Sequence, residues 1–353
     1  MVQPDAAEIL IRTRDAVDPE LRKAVHHLPE SLRTIAGYHL GWWDEHATPT
    51  DAGAGKAVRA TLTLLAAEAV GGTAEQGMPA AVAVELVHNA SLLHDDVIDD
   101  DRTRRHRPAV WSVFGVPAAI LAGDALFFLA IRILGEAPAP LSTVGVNRLN
   151  DAVQQLLDGE YADTAFAVRD EVTVAECQAM ASAKTGALIV CACTLGALAG
   201  GAGPAQLEAL RAFGHHLGIA FQIIDDLTGI WGDPARTGKP HLSDLRTRKK
   251  SFPVAAALRG DSAAARELAG LYRHRDELGE AELHRAADLV EAAGGRGWAG
   301  RQAAYHLDAA LDRMHGPAFR AEAATKLAAL VDLLTSQYPL APSGAHPRTQ
   351  EER

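Results

Sequence analysis

The run His94-Asp95-Asp96-Val97-Ile98-Asp99-Asp100-Asp101-Arg102-Thr103-Arg104-Arg105-His106-Arg107-Pro108 packs five carboxylates into seven residues and follows them with four arginines. Asp95 and Asp99 are four apart, which on a helix stacks them on one face, one turn from each other. Two carboxylates held that way repel unless a cation lies between them. Mg²⁺ prefers oxygen ligands and usually completes its shell with water and substrate phosphates. Guanidinium groups grip phosphate in two-pronged fashion, so the arginines read as a diphosphate clamp. Far downstream a second pair, Asp225-Asp226, ends another apolar run, Phe221-Gln222-Ile223-Ile224, with Asp233 further on. Either cluster alone would read as a solvated helix end. Together they concentrate more negative charge than one cavity mouth can hold without divalent metal and a ring of cations. Lys56, Arg59, Arg104, Arg105, Lys184, Lys239, Lys249 and Lys250 are available for that ring. Acidic clusters with basic flanks above apolar helices suit a diphosphate head and a greasy tail.

Such clusters need long apolar helices to carry them, and the chain is rich in these. Apolar residues recur at three-to-four spacing through most of it, and no stretch alternates convincingly as a strand. The spacing predicts helices over 6–25, 31–45, 56–70, 78–99, 117–134, 144–168, 172–198 and 206–231. Further helices are expected over 251–258, 263–278, 280–293, 298–314 and 318–337. The expected fold is therefore all-α, one helical bundle around a central cavity over residues 1–338. Residues 339–353, made of Pro, Ser, Gly, His and charge, read as a disordered tail. The chain has 353 residues, and a hydrophobic content of 48% allows a sizeable core. A net charge of −11 argues against a nucleic-acid partner and against a basic membrane-binding face. The uncharged run 186–203 is long enough to flag as a membrane span. Its glycines and alanines read better as a buried helix, so no span is expected. The N-terminal residues carry Asp5, Glu8 and Arg12 and do not make a signal peptide. Cys177, Cys191 and Cys193 lack C-x-x-C spacing and look like small core residues of a reducing compartment, which points to the cytoplasm.

Taken together, these residues resemble the trans-isoprenyl diphosphate synthases, the head-to-tail prenyltransferases, over roughly residues 35–253. The likeness is nearest to the bacterial geranylgeranyl diphosphate synthases. Gly55-Lys56-Ala57-Val58-Arg59 matches that family's Gly-Lys-x-x-Arg element, which implies Lys56 and Arg59 as ligands of isopentenyl diphosphate. His88, seven before Asp95, matches a histidine for the same substrate. Asp95-Asp96-x-x-Asp99 matches the first Asp-rich motif, with Asp95 and Asp99 as implied Mg²⁺ ligands. Of the arginine pair, Arg104 is implied for the allylic substrate and Arg105 for isopentenyl diphosphate. Lys184, Thr185, Gln222, Asp225, Asp226 and Lys239 fall on positions for the allylic diphosphate and a further metal. Lys250, before Ser251-Phe252-Pro253, falls on the late lysine. The resemblance implies Mg²⁺, three ions with substrate bound. It also implies an allylic partner substrate (dimethylallyl, geranyl or farnesyl diphosphate) and a homodimer.

The chain departs from the family pattern at two places. Ala60 stands where the first element usually has Pro. Gly229 stands where the second Asp-rich motif has its third Asp, so the i,i+4 pair of the first motif is not repeated. The next carboxylate is Asp233, which either folds back as a metal ligand or caps the loop. The implied reaction is ionisation of the allylic diphosphate, attack by the isopentenyl double bond, and loss of a proton to the departed diphosphate. A class I terpene cyclase would need only one diphosphate site, leaving Lys56, Arg59, His88 and Arg105 without a role. A non-catalytic partner subunit is the other alternative, favoured only by Gly229. Ala90 and Ser91, just ahead of Asp95, are small where family members that stop at fifteen carbons carry aromatics. The expected product is therefore C20, geranylgeranyl diphosphate, with Phe127-Phe128 on the next helix as a candidate floor.

Overall fold

The computed structural model describes residues 5–50, 55–234, 241–273 and 277–336. The helix that carries the first acidic motif starts at a reciprocal cap. The Thr73 hydroxyl accepts from the Gln76 N–H, and the Gln76 side chain accepts from the Thr73 N–H. From there α4 runs Ala74–Ile98, with Val84, Leu86, Val87, Ala90 and Leu93 almost wholly buried. Burial of a large apolar side chain stabilises by about 1.5–3 kcal/mol. That exceeds any propensity preference, so burial fixes the rotation of α4 and brings its polar end out at Asp95.

Before it come α1 (Ala6–His26), α2 (Glu30–His39) and α3 (Val58–Ala69). After it come α5 (Val110–Phe114), α6 (Val116–Glu136) and α7 (Val146–Val168), then α8 (Val174–Ala181), α9 (Ala187–Ala199) and α10 (Pro204–Trp231). The chain continues through α11 (Ser243–Arg246), α12 (Phe252–Leu258), α13 (Ala263–Arg273), α14 (Glu280–Ala292), α15 (Gly295–Asp312) and α16 (Ala321–Thr335). Among the described residues the fold is all-α as expected, apart from one antiparallel pair of two-residue strands, β1 (Thr103–Arg104) and β2 (Arg107–Pro108), and a lone bridge between Trp43 and Pro49.

The residues group into two compact units. Of the described residues, the first holds 5–50, 55–157, 187–215 and 313–333, and the second holds 158–186, 216–234, 241–273, 277–312 and 334–336. In the first, α3, α4, α6 and α9 pack on one another. The second has two apolar cores. Phe166, Cys177, Ile219, Ile223, Leu227 and Phe252 belong to one. Ile230, Leu245, Val254, Leu268, Leu283 and Val290 belong to the other. The expected tail, 339–353, lies outside the described residues.

Several expected bounds need correction. The helix expected over 31–45 stops at His39, because Gly41 turns left-handed (φ +77°) and the Trp43 indole folds back to donate to the Thr34 carbonyl. The helix expected over 172–198 is interrupted by a wide π-type turn at Ser182–Gly186. Phe128, proposed as a floor, points outward and is 73% exposed. Two helical stretches, Val116–Glu136 and Val174–Ala199, are long and apolar enough to cross a membrane, with 39% and 67% of their most apolar windows buried in the protein. The three cysteines are buried and unbridged, and burial pushes each thiol up to about 12.

Candidate functional site

In the first motif the α4 backbone does what the spacing promised. The Asp99 N–H donates to the Asp95 carbonyl at 2.8 Å, which keeps the two residues one turn apart. Asp95 is partly buried and Asp99 exposed, whereas Asp96 is buried. Arg104 turns back on the motif. Its Nε donates to Asp96 Oδ1 at 2.7 Å, and its Nη2 lies 3.8 Å from Asp95 and 3.4 Å from Asp101. Burial pushes the Asp96 carboxyl up to about 6, opposed by Arg104. Asp96 Oδ2 is buried and finds no partner among the described residues. Asp96 therefore anchors Arg104, while Asp95 and Asp99 offer oxygens at the helix end. Among the described residues, no three His, Cys, Asp or Glu side chains stand close enough to hold a metal between them. A pair of carboxylates that leaves further positions to phosphate and water suits Mg²⁺.

Two turns back along α4, about 10 Å away, is a basic pocket. Arg59 Nη1 and His88 Nε2 are 3.2 Å apart, and Arg105 Nη2 donates to Asn89 Oδ1 at 3.2 Å. Arg105 and His106 form the two-residue turn between β1 and β2, both with positive φ (+52° and +61°). Hairpins of this kind normally place Asn-Gly there. A non-glycine pair held left-handed is strained backbone of the sort found at ligand sites. Burial pulls the guanidinium pKa values of both Arg59 and Arg105 down. Burial, then Arg59 and Arg105, holds His88 well below the ordinary imidazole value. His39 behaves alike, lowered to about 3 by burial and then by Arg105 and Arg104. Both imidazoles are therefore neutral donors or acceptors. Arg59 Nε, Arg105 Nη1 and His39 Nε2 are all buried and have no hydrogen-bond partner among the described residues. Glu85, also buried, accepts from the Ala60 N–H at 3.0 Å. The departure from Pro at position 60 thus supplies a donor that Pro lacks. Lys56 is exposed beside this pocket's Gly55.

The second motif is built differently. Lys184 and Thr185 lie on the wide turn Ser182–Gly186, a distortion often found at functional sites. A Cβ on Gly159 of α7 would lie 2.2 Å from the Lys184 backbone nitrogen, so only glycine lets α7 approach this turn. Lys184 Nζ lies 2.7 Å from Asp163 and 2.8 Å from Glu160. Thr185 Oγ1 donates to Gln222 Oε1 at 2.7 Å, Gln222 Nε2 donates to Asp226 Oδ1 at 2.9 Å, and Asp226 Oδ2 accepts from the Phe252 N–H at 2.9 Å. This relay ties the turn, α10 and the start of α12 together. Asp226 is buried at its centre, and Asp225 is only partly buried. Asp233 is exposed, past the helix end at Trp231. Lys239 lies outside the described residues. Lys250 needs a correction: its ammonium turns to the Ala167 carbonyl at 3.4 Å, and Lys249 is the lysine among the acids.

Sequence reasoning missed Asp163, Glu160, Asp244, His39 and Asn89 as members of these clusters, and it counted Lys249 only among the cations available to the acids. Asn89 was one position from His88, a residue already chosen. The others carry no spacing signal. Of the chain-length pair, Ala90 is wholly buried, and Ser91 is partly buried with its hydroxyl donating to the His88 carbonyl at 2.8 Å.

A sequence model described as polyprenyl synthetase matches residues 42–290. A (2E,6E)-farnesyl diphosphate synthase of Mycobacterium tuberculosis is 42% identical over 322 residues, covering 88% of this chain and 89% of that one. A geranylgeranyl diphosphate synthase of the same organism is 46% identical over 304 residues, covering 86% and 87%. The crystal structure of a polyprenyl synthetase from Streptomyces coelicolor superposes with a TM-score of 0.86 at 44% identity, covering 94% of this chain and 99% of that one. A polyprenyl synthase from Caulobacter crescentus, solved with calcium and isoprenyl diphosphate, superposes with a TM-score of 0.80 at 27% identity, covering 95% and 98%.

Proposed function

The chain belongs to the polyprenyl synthetase family, and on that premise we propose that it condenses isopentenyl diphosphate with an allylic diphosphate to give geranylgeranyl diphosphate. The enzyme class, a trans-prenyl diphosphate synthase and so a prenyltransferase, follows from the family. The observation that carries the two-substrate reading is the set of buried nitrogens without partners among the described residues, Arg59 Nε, Arg105 Nη1 and His39 Nε2. An unmet buried donor costs about 1–3 kcal/mol, so the two guanidinium groups left short of partners favour an anion there. That pocket is distinct from the acidic motif two turns along α4, and a one-diphosphate cyclase would have no use for it.

Asp95 and Asp99 in the first motif, and Asp225 in the second, are the residues that would hold Mg²⁺, which when bound stabilises charge on the leaving diphosphate. Arg104, Lys184 and Lys239 are the cations that the family resemblance assigns to the allylic diphosphate. Lys56, Arg59, His88 and Arg105 hold isopentenyl diphosphate so that its double bond faces the allylic carbon. The allylic C–O bond breaks, a C–C bond forms, and the resulting tertiary cation loses a proton to the released diphosphate. Gln222 and Thr185 orient each other and steady the cationic carbon. Ala90 and Ser91 leave room for a tail beyond fifteen carbons, which supports C20; the names of the two Mycobacterium tuberculosis relatives divide between fifteen and twenty.

We extend the reading to residues 1–338 as one prenyltransferase domain in the cytoplasm, acting as a homodimer. The unbridged, buried cysteines suit a reducing compartment. The outward face of α6, with Ile120, Leu121 and Phe128 exposed, suits a second copy. The test is product analysis with isopentenyl diphosphate and each allylic primer in turn. A C20 product supports the reading, a C15 end point overturns the chain length, and a cyclic hydrocarbon or no product overturns the reaction.

A further inference from the structure

The β1–β2 hairpin that carries Arg105 cannot hold its own shape. Its strands are two residues each, and a two-stranded ribbon is marginal by itself. Both residues of its turn, Arg105 and His106, are left-handed and so strained. Its facing pair, Arg104 and Arg107, sets two positive charges opposite each other, which is unfavourable across a ladder. The hairpin must therefore be held from outside. On one side Arg104 reaches to Asp96 of α4. On the other, Arg107 reaches to the end of α2. Its Nη1 donates to the Tyr38 carbonyl and its Nη2 to the Trp43 carbonyl, both at 3.0 Å. The negative end of the helix dipole favours a cation there. The same guanidinium lies over the Tyr38 ring, 4.3 Å from its centre. The Tyr38 hydroxyl in turn donates to the Pro108 carbonyl at 2.9 Å. Neither seat can move freely. Tyr38 is buried and packs edge-on against Phe114, with ring centres 5.2 Å apart. The Trp43 indole lies against Gly37, where any side chain would collide with it, and donates to the Thr34 carbonyl at 2.7 Å.

We propose that Arg107 and Tyr38 are positioning residues for the isopentenyl diphosphate pocket. They seat β2 on the end of α2, and β2 holds the strained turn so that Arg105 meets Asn89 with its Nη1 left for the anion. Capture of that substrate thus depends on an element that precedes the Gly-Lys-x-x-Arg motif. The inference rests on the prenyl-synthase reading for the identity of the anion, but the positioning claim has a readout of its own.

The experiment places Arg107→Ala, Arg107→Lys and Tyr38→Phe in the wild-type and Arg105→Ala backgrounds. Each is read by condensation kinetics, by thermal unfolding, and by calorimetric titration with inorganic pyrophosphate in chelator, so that metal-held anion does not contribute. Arg107→Ala should raise the isopentenyl KM and weaken pyrophosphate binding by about tenfold or more. Its kcat should stay within about twofold of wild type, the pattern of lost binding and not of lost chemistry. The allylic KM should not move, because Arg104 keeps its own anchor on Asp96. Arg107→Lys keeps the charge but cannot bridge two carbonyls, so it should fall between. Tyr38→Phe removes one neutral hydrogen bond and should cost about two- to tenfold. In the Arg105→Ala background the same changes should add less than about twofold, since the residue they position is gone. A substitution that merely loosened the fold would act alike in both backgrounds. Full additivity with Arg105→Ala, equal rises in both KM values, wild-type pyrophosphate affinity in Arg107→Ala, or a wild type that binds no pyrophosphate in chelator overturns the proposal. Should Arg107→Ala not fold, Arg107→Lys and Tyr38→Phe decide by the same criteria. If the wild type makes no prenyl product, the reaction assignment fails, while the pyrophosphate titrations still decide the positioning claim.

Discussion

In the first acidic motif the third carboxylate arrives along the same helix, since Asp99 follows Asp95 by one turn and a backbone bond spaces them. In the second motif the helix offers Gly229 at that turn, and the carboxylate beside it belongs to Asp244 of α11. The middle residues match more closely. Asp96 is buried under Arg104, and Asp226 is buried between Gln222 and the Phe252 N–H. In both motifs the middle carboxylate organises its neighbours, and the first is the more exposed of the pair. The cations differ as well. Arg104 follows its motif by a few residues, whereas Lys249 is brought back to Asp225 and Asp226 by the fold. A motif completed locally depends on one helix; a motif completed from elsewhere depends on the packing of several.

The largest effect expected from this contrast is on turnover. Asp95→Asn should lower kcat by about 10² or more, the scale for removing a charge-stabilising group, with an unchanged melting temperature, because Asp95 is only partly buried at the helix end and Asn keeps its shape. Full activity of that variant, or undiminished activity in chelator, would break the parallel between the two motifs. Next in size is the split between the arginines. Arg105→Ala removes a charged hydrogen-bond donor worth about 1.5–3 kcal/mol, so the KM for isopentenyl diphosphate should rise roughly 10- to 150-fold with little change for the allylic substrate. Arg104→Ala should instead cost fold stability, by about 3 kcal/mol in chemical denaturation, since it strips the buried Asp96 of its partner. Equal kinetic effects on both substrates and equal stabilities would show that the two arginines do not divide the work. The smallest effect is expected at Asp233. Asp233→Ala should leave kcat and both KM values within about twofold of wild type, as surface substitutions generally do. A loss comparable to that of Asp95→Asn would make Asp233 a working carboxylate of the second motif.

What the sequence disclosed follows the same division. Helix periods, the spacing of Asp95 and Asp99, and the order of the basic residues are local properties, and α4 and α10 lie where the periodicity puts them. The β1–β2 turn was not legible, because nothing in Arg105-His106 has the glycine or asparagine that advertises a left-handed turn. The break at Ser182–Gly186 was hidden inside one long helical pattern, where the hydrophobic period is blind to one extra residue per turn. Asp244 was invisible for a different reason: a space-filling relation across fifteen residues of chain, between a residue with no side chain and one on another helix, has no period at all. Lys249 and Lys250 are adjacent, and only packing decides which of them faces the acids.

The left-handed backbone at Arg105 and His106 has a consequence for the thermodynamics of substrate capture. An arginine side chain loses up to about 2 kcal/mol of rotamer entropy when it is fixed. Here Arg105 is held by its turn and by Asn89, and it packs over Gly55, before any anion enters. The ordering cost therefore falls on folding and not on binding. A looser turn would make a more relaxed protein and a weaker grip on the incoming diphosphate.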